Sequence, residues 1–345
     1  MVKALADEIR MRRTDADKIQ TIYFGGGTPS VLSNAEISFL IKTVYDNFDV
    51  SNNPEITLEG NPDDLPDTRF EALKQCGINR LSVGIQSFFD EDLRLMNRAH
   101  DACQSLRALN AAVQVFDNIS IDLIYGIPGL SHERWKANID YALASGVPHI
   151  STYALTVEPR TALHKMVRER QIAEPSEELA AEQFQILTDN LTQNGFIHYE
   201  LSNFARPGYF SKNNSAYWLG KKYIGIGPSA HSYDGISRSW NIANNAIYLK
   251  GIESANRNFE LETLSLPDRY NESVMTGLRT IWGVSLKNIK TAFGDGMLDY
   301  MLSRAERFIT AGLLEIKDGA LRTTQTGKFL ADGLASDLFL VNLGE

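Results

Sequence analysis

Short apolar runs, each about as long as a β-strand, alternate with amphipathic helix-like stretches over the first 205 residues. Six runs recur, and they begin at Thr21, Glu55, Arg80, Ile119, His149 and His198. Strand–helix alternation of this kind predicts an α/β protein with a parallel sheet. Six units over this length favour a barrel or partial barrel, and a doubly wound open sheet remains the alternative.

The helical stretches carry recognisable start and stop signals. Ser33 is followed three residues later by Glu36, which is the pattern of a capping box. Gly77 follows another helical stretch at the position where a helix commonly ends.

The C-terminal part of the chain has a different pattern. Three helical stretches, a hairpin around Lys317-Asp318-Gly319 and a last helix follow in an order that is winged-helix-like. We therefore expect three regions: a barrel over 1–205, an irregular linking segment over 206–264, and a helical domain over 265–345. Residues 265–345 carry nine Lys and Arg against ten Asp and Glu, and the net charge of the chain is −9. This balance argues against a nucleic-acid partner.

The first residues read as part of an amphipathic helix. Val2, Leu5 and Ile9 share one helical face, and no capping residue precedes them. We expect further chain upstream of Met1, with a frayed N-terminal helix as the alternative. The two cysteines, Cys76 and Cys103, exclude a disulfide framework and favour the cytoplasm, and no apolar run is long enough to cross a membrane.

Polar residues and glycines stand at the carboxyl ends of four predicted strands. They are Gly25–Thr28, Glu59, Asn61, Gln86 and Asp122. In β/α barrels this rim is where binding sites are built. A glycine turn exposes backbone groups that bind an ammonium, a carboxylate or a phosphate, although a tight turn without ligand is the simpler alternative.

Single residues of this set leave alternatives open. A carboxylate at Glu59 suits a ribose diol. A charge at Asp122 inside a strand needs a partner, and a buried ion pair would supply it. Arg98, by itself, reads as a surface arginine of a helix.

The sequence resembles a branch of the radical S-adenosylmethionine (SAM) family. The motifs that carry the resemblance are, in order, "YFGGGTPS", "EGNPDD", "LSVGIQSF", "MNRAHD", "SIDLIYGIPG" and "YALTVEPRTAL". This branch contains the oxygen-independent coproporphyrinogen III dehydrogenases and the HemW-type haem chaperones. The resemblance covers nearly the whole chain and implies a partial (β/α)6 barrel, lacking its first strand here, with SAM across the strand ends.

The resemblance also implies roles for individual residues. Gly26, Gly27 and Thr28 match the loop that holds the methionyl end of SAM, and Glu59 matches the acidic residue near the ribose. Gln86, Arg98 and Asp122 match polar groups that complete the pocket, and Ala154 matches a backbone contact near the adenine.

The chain departs from this family at the iron–sulfur cluster. The family binds a [4Fe–4S] cluster through a CxxxCxxC loop, and no such motif occurs here. Thiolates are the ligands that such clusters require, and Cys76 and Cys103 fall on predicted helices of other units. We expect the loop to lie upstream of Met1. The sequence as given then offers no metal ligands or catalytic residues, and whether it is an enzyme stays open.

A second departure concerns haem. The HemW-type proteins carry a His-Asn-x-x-Tyr-Trp motif linked to haem, and Asn214, Tyr217 and Trp218 match it. Asn213 stands in place of the histidine, and an asparagine is not an effective ligand of haem iron. Aromatic packing is the simpler role for Tyr217 and Trp218. His231 is a nearby substitute, but a structural, hydrogen-bonded histidine is the expected reading.

Three functions follow from these features. The leading hypothesis is a HemW-like protein that binds haem and SAM and hands haem to a recipient protein. The alternative is the oxidative decarboxylation of coproporphyrinogen III in haem biosynthesis. A third hypothesis is a β/α-barrel enzyme that binds a phosphate at the glycine turn.

Overall fold

The structure is a computed structural model that describes residues 1–16 and 18–340. The chain divides into two compact units. Unit 1 comprises Met1–Gln20, Phe39–Asn53 and the chain from Ser211 onward, and unit 2 comprises Thr21–Ser38 and Pro54–Phe210. No helix in the described part of the chain is long and apolar enough to cross a membrane.

Unit 2 contains most of a curled seven-stranded sheet. Its strands are β1 (Ile19–Phe24), β2 (Val50–Gly60), β3 (Arg80–Gln86), β4 (Ile119–Tyr125), β5 (His149–Ala154), β6 (Ile197–Glu200) and β7 (Asn203–Ala205). Their order in the sheet is β1-β2-β3-β4-β5-β7-β6, and β2 to β5 run parallel to one another. The predicted α/β half-barrel is therefore confirmed.

The helices between these strands follow the predicted alternation. They are α2 (Asn34–Asn47), α3 (Phe70–Gln75), α4 (Asp90–Leu95), α5 (Ala102–Val115), α6 (His132–Ala144), α7 (Ala162–Arg168) and α8 (Glu177–Gln193). The backbone N–H of Ser33 donates to Glu36 at 2.8 Å, and that of Glu36 donates to Ser33 Oγ, so the predicted capping box is present.

The two faces of the sheet differ in polarity. Leu81, Ile121 and Ile150 alternate with polar residues along their strands and are fully buried. On the other face, the ring of His149 hydrogen-bonds to Ser120 Oγ at 2.7 Å and to Tyr199 Oη at 2.8 Å. Burial and the nearby Arg80 hold the pKa of His149 well below its usual range, so this ring stays neutral. Polar groups are thus retained on this face because they bond to one another.

The last predicted strand of the sheet differs from the expectation. The run that begins at His198 forms a hairpin of two short strands, and β7 pairs antiparallel with β5. The carboxylate of Glu200 accepts hydrogen bonds from the backbone N–H of Ser202 and from the side chain of Asn203. These bonds close a turn between β6 and β7. Hydrophobic alternation alone predicts a single strand over the same residues.

The predicted irregular segment over 206–264 is folded. It contains α9 (Lys212–Trp218), α10 (Asn245–Glu253) and a sheet of β8 (His231–Tyr233), β9 (Ser237–Asn241) and β10 (Phe259–Thr263) in the order β10-β9-β8. The N-terminal helix α1 (Val2–Met11) supports it through Glu8, which is fully buried. The Glu8 carboxylate accepts from Gly227 N at 2.8 Å, Asn241 Nδ2 at 2.7 Å and Tyr248 Oη at 2.6 Å.

The C-terminal part of unit 1 has the predicted winged-helix-like order. Its elements are α11 (Leu266–Leu278), β11 (Val284–Ser285), α12 (Leu286–Phe293), α13 (Asp295–Thr310), β12 (Leu314–Lys317), β13 (Ala320–Thr323) and α14 (Ala331–Leu338). A core that includes Tyr270, Val274 and Met301 holds the helices together. Asp318 and Gly319 adopt positive φ angles of 51° and 74° in the hairpin turn.

Candidate functional site

The glycine turn that follows β1 presents open backbone. Gly26 and Gly27 have φ angles of +73° and +62°, which favour glycine. No atom lies within 4 Å of the position that a Cβ would take at either residue. Thr28 ends the turn, and its carbonyl accepts from the N–H of Val31 at 3.2 Å. The turn therefore offers a shallow, backbone-lined cradle.

Glu59, at the end of β2, is fixed beside this turn. Its carboxylate accepts hydrogen bonds from the Tyr23 hydroxyl and, at 3.3 Å, from the N–H of Gly26. Burial and the Glu59 charge raise the pKa of Tyr23, so the phenol keeps its proton and remains the donor. A Cβ on Gly25 would lie 2.6 Å from the Tyr23 ring and 3.2 Å from the Glu59 carboxyl carbon. Glycine at position 25 is required by this close approach.

Asp122, in the middle of β4, is electrostatically coupled to Glu59. Burial, reinforced by the Glu59 charge, raises the pKa of Asp122 to about 7. A hydrogen bond from Ser151, on β5, and the positive charges of Arg80 and Arg98 oppose this rise. Asp122 is therefore ionised in only part of the molecules near neutral pH.

Gln86 and Arg98 complete the polar groups on this side of the sheet. Gln86 ends β3 at a bulge with a φ angle of +68°, a conformation that is strained for a residue with a side chain. A Cβ on Gly84 would lie 2.8 Å from Gln86 Nε2 and 3.4 Å from Asn61 Oδ1, so these side chains meet above the glycine. Arg98 lies in the turn after α4 rather than on a helix, and its charge interacts with Asp122.

The structure thus brings most of the sequence-predicted residues of unit 2 together. Five of them lie on the polar side of the sheet, and we call them the strand-tip cluster: Gly26, Glu59, Gln86, Arg98 and Asp122. Gly26 follows β1, and Glu59 and Gln86 end their strands. The expectation that Asp122 stands at a strand end is wrong, because it lies in the middle of β4. Gly27 and Thr28 continue the glycine turn. Ala154 ends β5 opposite Tyr125, and no described contact connects it to the cluster.

Sequence reasoning missed three residues of this neighbourhood. Tyr23 and Ser151 hydrogen-bond the two carboxylates, and Arg80 is only 2% exposed on the polar face, where its Nε has no hydrogen-bond partner among the described residues. Period-two alternation could have indicated Arg80, which shares one face of β3 with Gly84 and Gln86. Ser151 is the register partner of Asp122, which the sequence alone does not give.

The residues that match the haem-linked motif lie on α9 in unit 1. The N–H of Asn214 donates to Ser211 Oγ at 3.2 Å and caps the helix. The Tyr217 side chain is 44% exposed and hydrogen-bonds to Asn213. The guanidinium of Arg279 lies 5.3 Å from the centre of the Trp218 ring.

Tyr217 is part of a larger aromatic surface in unit 1, which we define by Tyr217, Tyr223, His231, Tyr233 and Trp240. The ring centres of Tyr217 and Tyr223 are 4.5 Å apart, and those of Tyr223 and Tyr233 are 6.2 Å apart. His231 stacks on Trp240 at 5.8 Å. The expectation of a hydrogen-bonded, structural His231 is wrong, because its side chain is exposed and its ring makes no hydrogen bond with the described residues.

The cysteines of this chain do not fit a [4Fe–4S] cluster. Cys76 follows the end of α3, where its Sγ lies 3.4 Å from the carbonyl of Asn34, and Cys103 lies in α5. The described residues contain no group of three or more His, Cys, Asp or Glu that could hold a metal. Because such a cluster needs several thiolates together, these residues cannot bind it.

Comparisons with known proteins agree with this architecture. Residues 2–142 match the family model of the Radical SAM superfamily, and residues 264–330 match that of the HemN C-terminal domain. A Mycobacterium tuberculosis protein described as heme chaperone HemW is 32% identical over 96% of this chain and 83% of its own length. A Bacillus subtilis protein with the same description is 31% identical over 96% of this chain and 88% of its own length.

A solved structure shows the same fold. Coproporphyrinogen III oxidase (HemN) from Escherichia coli superposes with a TM-score of 0.82 at 24% identity, covering 98% of this chain and 82% of that one.

Proposed function

Because the chain belongs to the HemW family within the radical SAM superfamily, we propose that it binds haem and passes it to an acceptor protein. The observation that carries the proposal is identity of 31–32% to proteins described as heme chaperones over 96% of the chain. The aromatic surface of unit 1, on which Tyr217 and His231 are exposed, supports it, because a porphyrin is a large planar π-system that stacks on aromatic rings. We further propose a reducing cytoplasm as the compartment, where the two free cysteines persist.

We also propose that the strand tips of unit 2 bind SAM. The fit rests on the open cradle of Gly26 and Gly27, the fixed carboxylate of Glu59 and the charges of Asp122 and Arg98. SAM would bring an amino-acid zwitterion, a sulfonium and a ribose diol to these groups. We assign the zwitterion to Gly26, Gly27, Thr28, Gln86, Arg98 and Asp122, the ribose to Glu59, and the adenine to the backbone of Ala154.

The proposal includes no electron transfer to SAM. The cysteines of this chain do not fit the cluster that would deliver the electron, so the described residues support binding and not radical chemistry. The likeness to coproporphyrinogen III oxidase extends to the fold, and oxidative decarboxylation would need that same electron. Haem binding and transfer need none.

Haem binding is tested by titrating the full chain with Fe(III)-protoporphyrin IX and following the Soret band. We expect saturable binding near one equivalent that a double change of Tyr217→Ala and Trp218→Ala weakens. Addition of a haem-free acceptor protein should then move the haem to the acceptor. Binding that does not saturate would contradict specific haem binding. Equal binding by the double variant would contradict the role of Tyr217 and Trp218.

SAM binding is tested by calorimetric titration of the full chain and its Glu59→Gln variant. The variant keeps the size of the side chain but loses the charge, and we expect SAM to bind about tenfold more weakly or worse. Glu71→Gln, an exposed carboxylate on α3 of the same unit, is the matched control and should bind SAM as the unmodified chain does. If the unmodified chain, Glu59→Gln and Glu71→Gln bind SAM with equal affinity, Glu59 does not contact SAM.

A further inference from the structure

We propose that His231 ligates the iron of bound haem in this chain, with the porphyrin against the aromatic surface. The inference rests on the haem binding proposed above and adds the identity of the ligand.

His231 is the histidine of unit 1, and its imidazole is available to an incoming metal. The sequence has six histidines, and the other five lie within unit 2. Three of these five, His100, His149 and His198, are buried. The ring of His231 is exposed, and its contact with the described residues is the stacking on Trp240. Both of its nitrogens are therefore free of competing hydrogen bonds within the described chain.

The strand beneath His231 aims the side chain outward. Burial alternates along β8, where Ser232 is buried between the more accessible His231 and Tyr233. Ser232 Oγ accepts from Arg12 Nη1 at 2.9 Å and from the N–H of Gly225 at 3.0 Å, on the inner side of the strand. Because successive residues of a strand point to opposite faces, these bonds fix His231 on the outer face.

The backbone around His231 is also closely packed. A Cβ on Gly225 would lie 2.1 Å from the carbonyl oxygen of His231, and Arg12 Nη1 donates to the carbonyl of Gly225 at 2.8 Å. A ligand on such a strand is held in place before haem arrives, which lowers the entropy cost of binding.

The aromatic surface extends from His231 in two directions. Trp240 is the register partner of His231, and Tyr233 lies two residues along the same strand. All three therefore project from the same face of the sheet. Tyr223 contacts Tyr233, and Tyr217 contacts Tyr223, so these three rings form one series of contacts beside the His231–Trp240 pair. The arrangement suits one edge of a porphyrin on the rings and its metal on the imidazole.

Charges of both signs lie near this surface, since Glu272, Asp234 and Arg238 act on Tyr233, and a segment beside it is purely basic. The protein carries a net charge of −9, but residues 212–222 contain Lys212, Lys221 and Lys222 and no acidic residue. All three lysines are exposed. The two carboxylates of protoporphyrin IX would meet positive charge here, against the overall sign of the protein.

Tyr217 is the competing ligand, and its surroundings disfavour it. Its hydroxyl hydrogen-bonds to Asn213, and burial raises its pKa, so the phenol stays protonated at neutral pH. A tyrosine binds haem iron well as the phenolate, and the amide of Asn213 is not an effective ligand. The described groups near the rings thus leave the imidazole as the best donor.

The test uses the full chain titrated with Fe(III)-protoporphyrin IX, followed by absorption and electron paramagnetic resonance spectra. We expect imidazole–iron signatures in the unmodified chain, and their loss in His231→Ala with affinity reduced about tenfold or more. Free imidazole added to His231→Ala should restore the signatures, which a purely structural role would not allow. His164→Ala, in α7 of unit 2, is the control and should match the unmodified chain.

Metal-free protoporphyrin IX separates this inference from the proposed function. It should bind the unmodified chain and His231→Ala alike, since stacking needs no iron. If His231→Ala binds Fe(III)-protoporphyrin IX with unchanged spectra, the ligand assignment is wrong while haem binding stands. If the unmodified chain binds neither porphyrin, both proposals are wrong. A His231→Met variant that keeps an imidazole spectrum would also overturn the assignment.

Discussion

The strand-tip cluster of unit 2 and the aromatic surface of unit 1 are held in place in opposite ways. In the cluster, the polar groups bond to residues of the neighbouring strand, as Glu59 on β2 does with Tyr23 on β1 and with Gly26 just after it. On the aromatic surface, the rings pack on one another, and the backbone beneath them is held by Arg12 and Glu8, more than 200 positions away in sequence. In the strand-tip cluster, the carboxylates of Glu59 and Asp122 therefore repel each other, which lowers stability. The aromatic surface depends instead on hydrogen bonds from residues distant in sequence.

Loss of the Glu8 carboxylate should have the largest effect, because it removes the anchor of the aromatic surface. Glu8→Ala removes the acceptor of the Gly227 N–H and of the Tyr248 hydroxyl, and it leaves Asn241 Nδ2 with only its bond to the Gly227 carbonyl. We expect the free energy of unfolding to fall by about 3–5 kcal/mol, measured by urea denaturation. Where the variant is still folded, its haem affinity should fall more than its SAM affinity.

Asp7→Ala is the matched control for this change. Asp7 lies on the same helix, its side chain is 37% exposed, and it pairs with Arg10 three residues away. Such exposed pairs contribute little, so stability should change by less than about 1 kcal/mol. Equal losses in the two variants would mean that α1 stabilises unit 1 through its helix as a whole and not through the buried carboxylate.

The pH dependence of stability should show how much the buried charge of Asp122 destabilises the strand-tip cluster. The pKa of Asp122 is about 7 in the folded chain against an ordinary 3.8, so the folded state holds a proton that the unfolded state has lost between these values. The free energy of unfolding therefore declines as pH rises through this window and stays lower above it. We expect Asp122→Asn to be more stable than the unmodified chain by about 2–4 kcal/mol at about pH 8, and similar to it near pH 4.

The control is the comparison of Asp122→Asn with the unmodified chain at about pH 4 and at about pH 8. A stability difference that does not change between these pH values would show that the amide acts through packing or hydrogen bonding and not through charge. The same variant should bind SAM more weakly than the unmodified chain above pH 7. The reason is that the unmodified Asp122 is then ionised and attracts the cationic ligand.

The parts of the fold that local sequence determines were predictable. The Ser33–Glu36 capping box and the turn at Asp318-Gly319 depend on residues adjacent in sequence, and both are present. The folded segment over 206–264 was not predictable. Its abundant Gly, Asn and Ser read as loop, while the bonds that order it come from Glu8 and Arg12 at the other end of the sequence.

The two candidate sites also differ in how far the sequence predicts them. Strand ends can be read from alternation, so Glu59, Gln86 and Asp122 were expected at one rim. Glu59 and Gln86 do end their strands, whereas Asp122 lies in the middle of β4 and interacts electrostatically with Glu59. Nothing in the local sequence of "GIGPSAHSY" indicates which face of the strand is exposed. Only the burial of Ser232 against Arg12 decides that His231 points outward.

The smallest effect that we expect concerns the stacking of Arg279 on Trp218, beside the aromatic surface. Removing the guanidinium in Arg279→Ala should destabilise this contact by about 0.5–1 kcal/mol and change the fluorescence of Trp218. Arg279 also pairs with Asp332, whose side chain is 66% exposed. Asp332→Ala removes this ion pair but leaves the guanidinium over the ring, so it should leave both the fluorescence and haem binding unchanged. If Asp332→Ala reproduces the Arg279→Ala spectrum, the ion pair positions the arginine. In that case the aromatic surface, like the strand-tip cluster, depends on charged groups beside it. The two regions would then differ less in how their side chains are held in place.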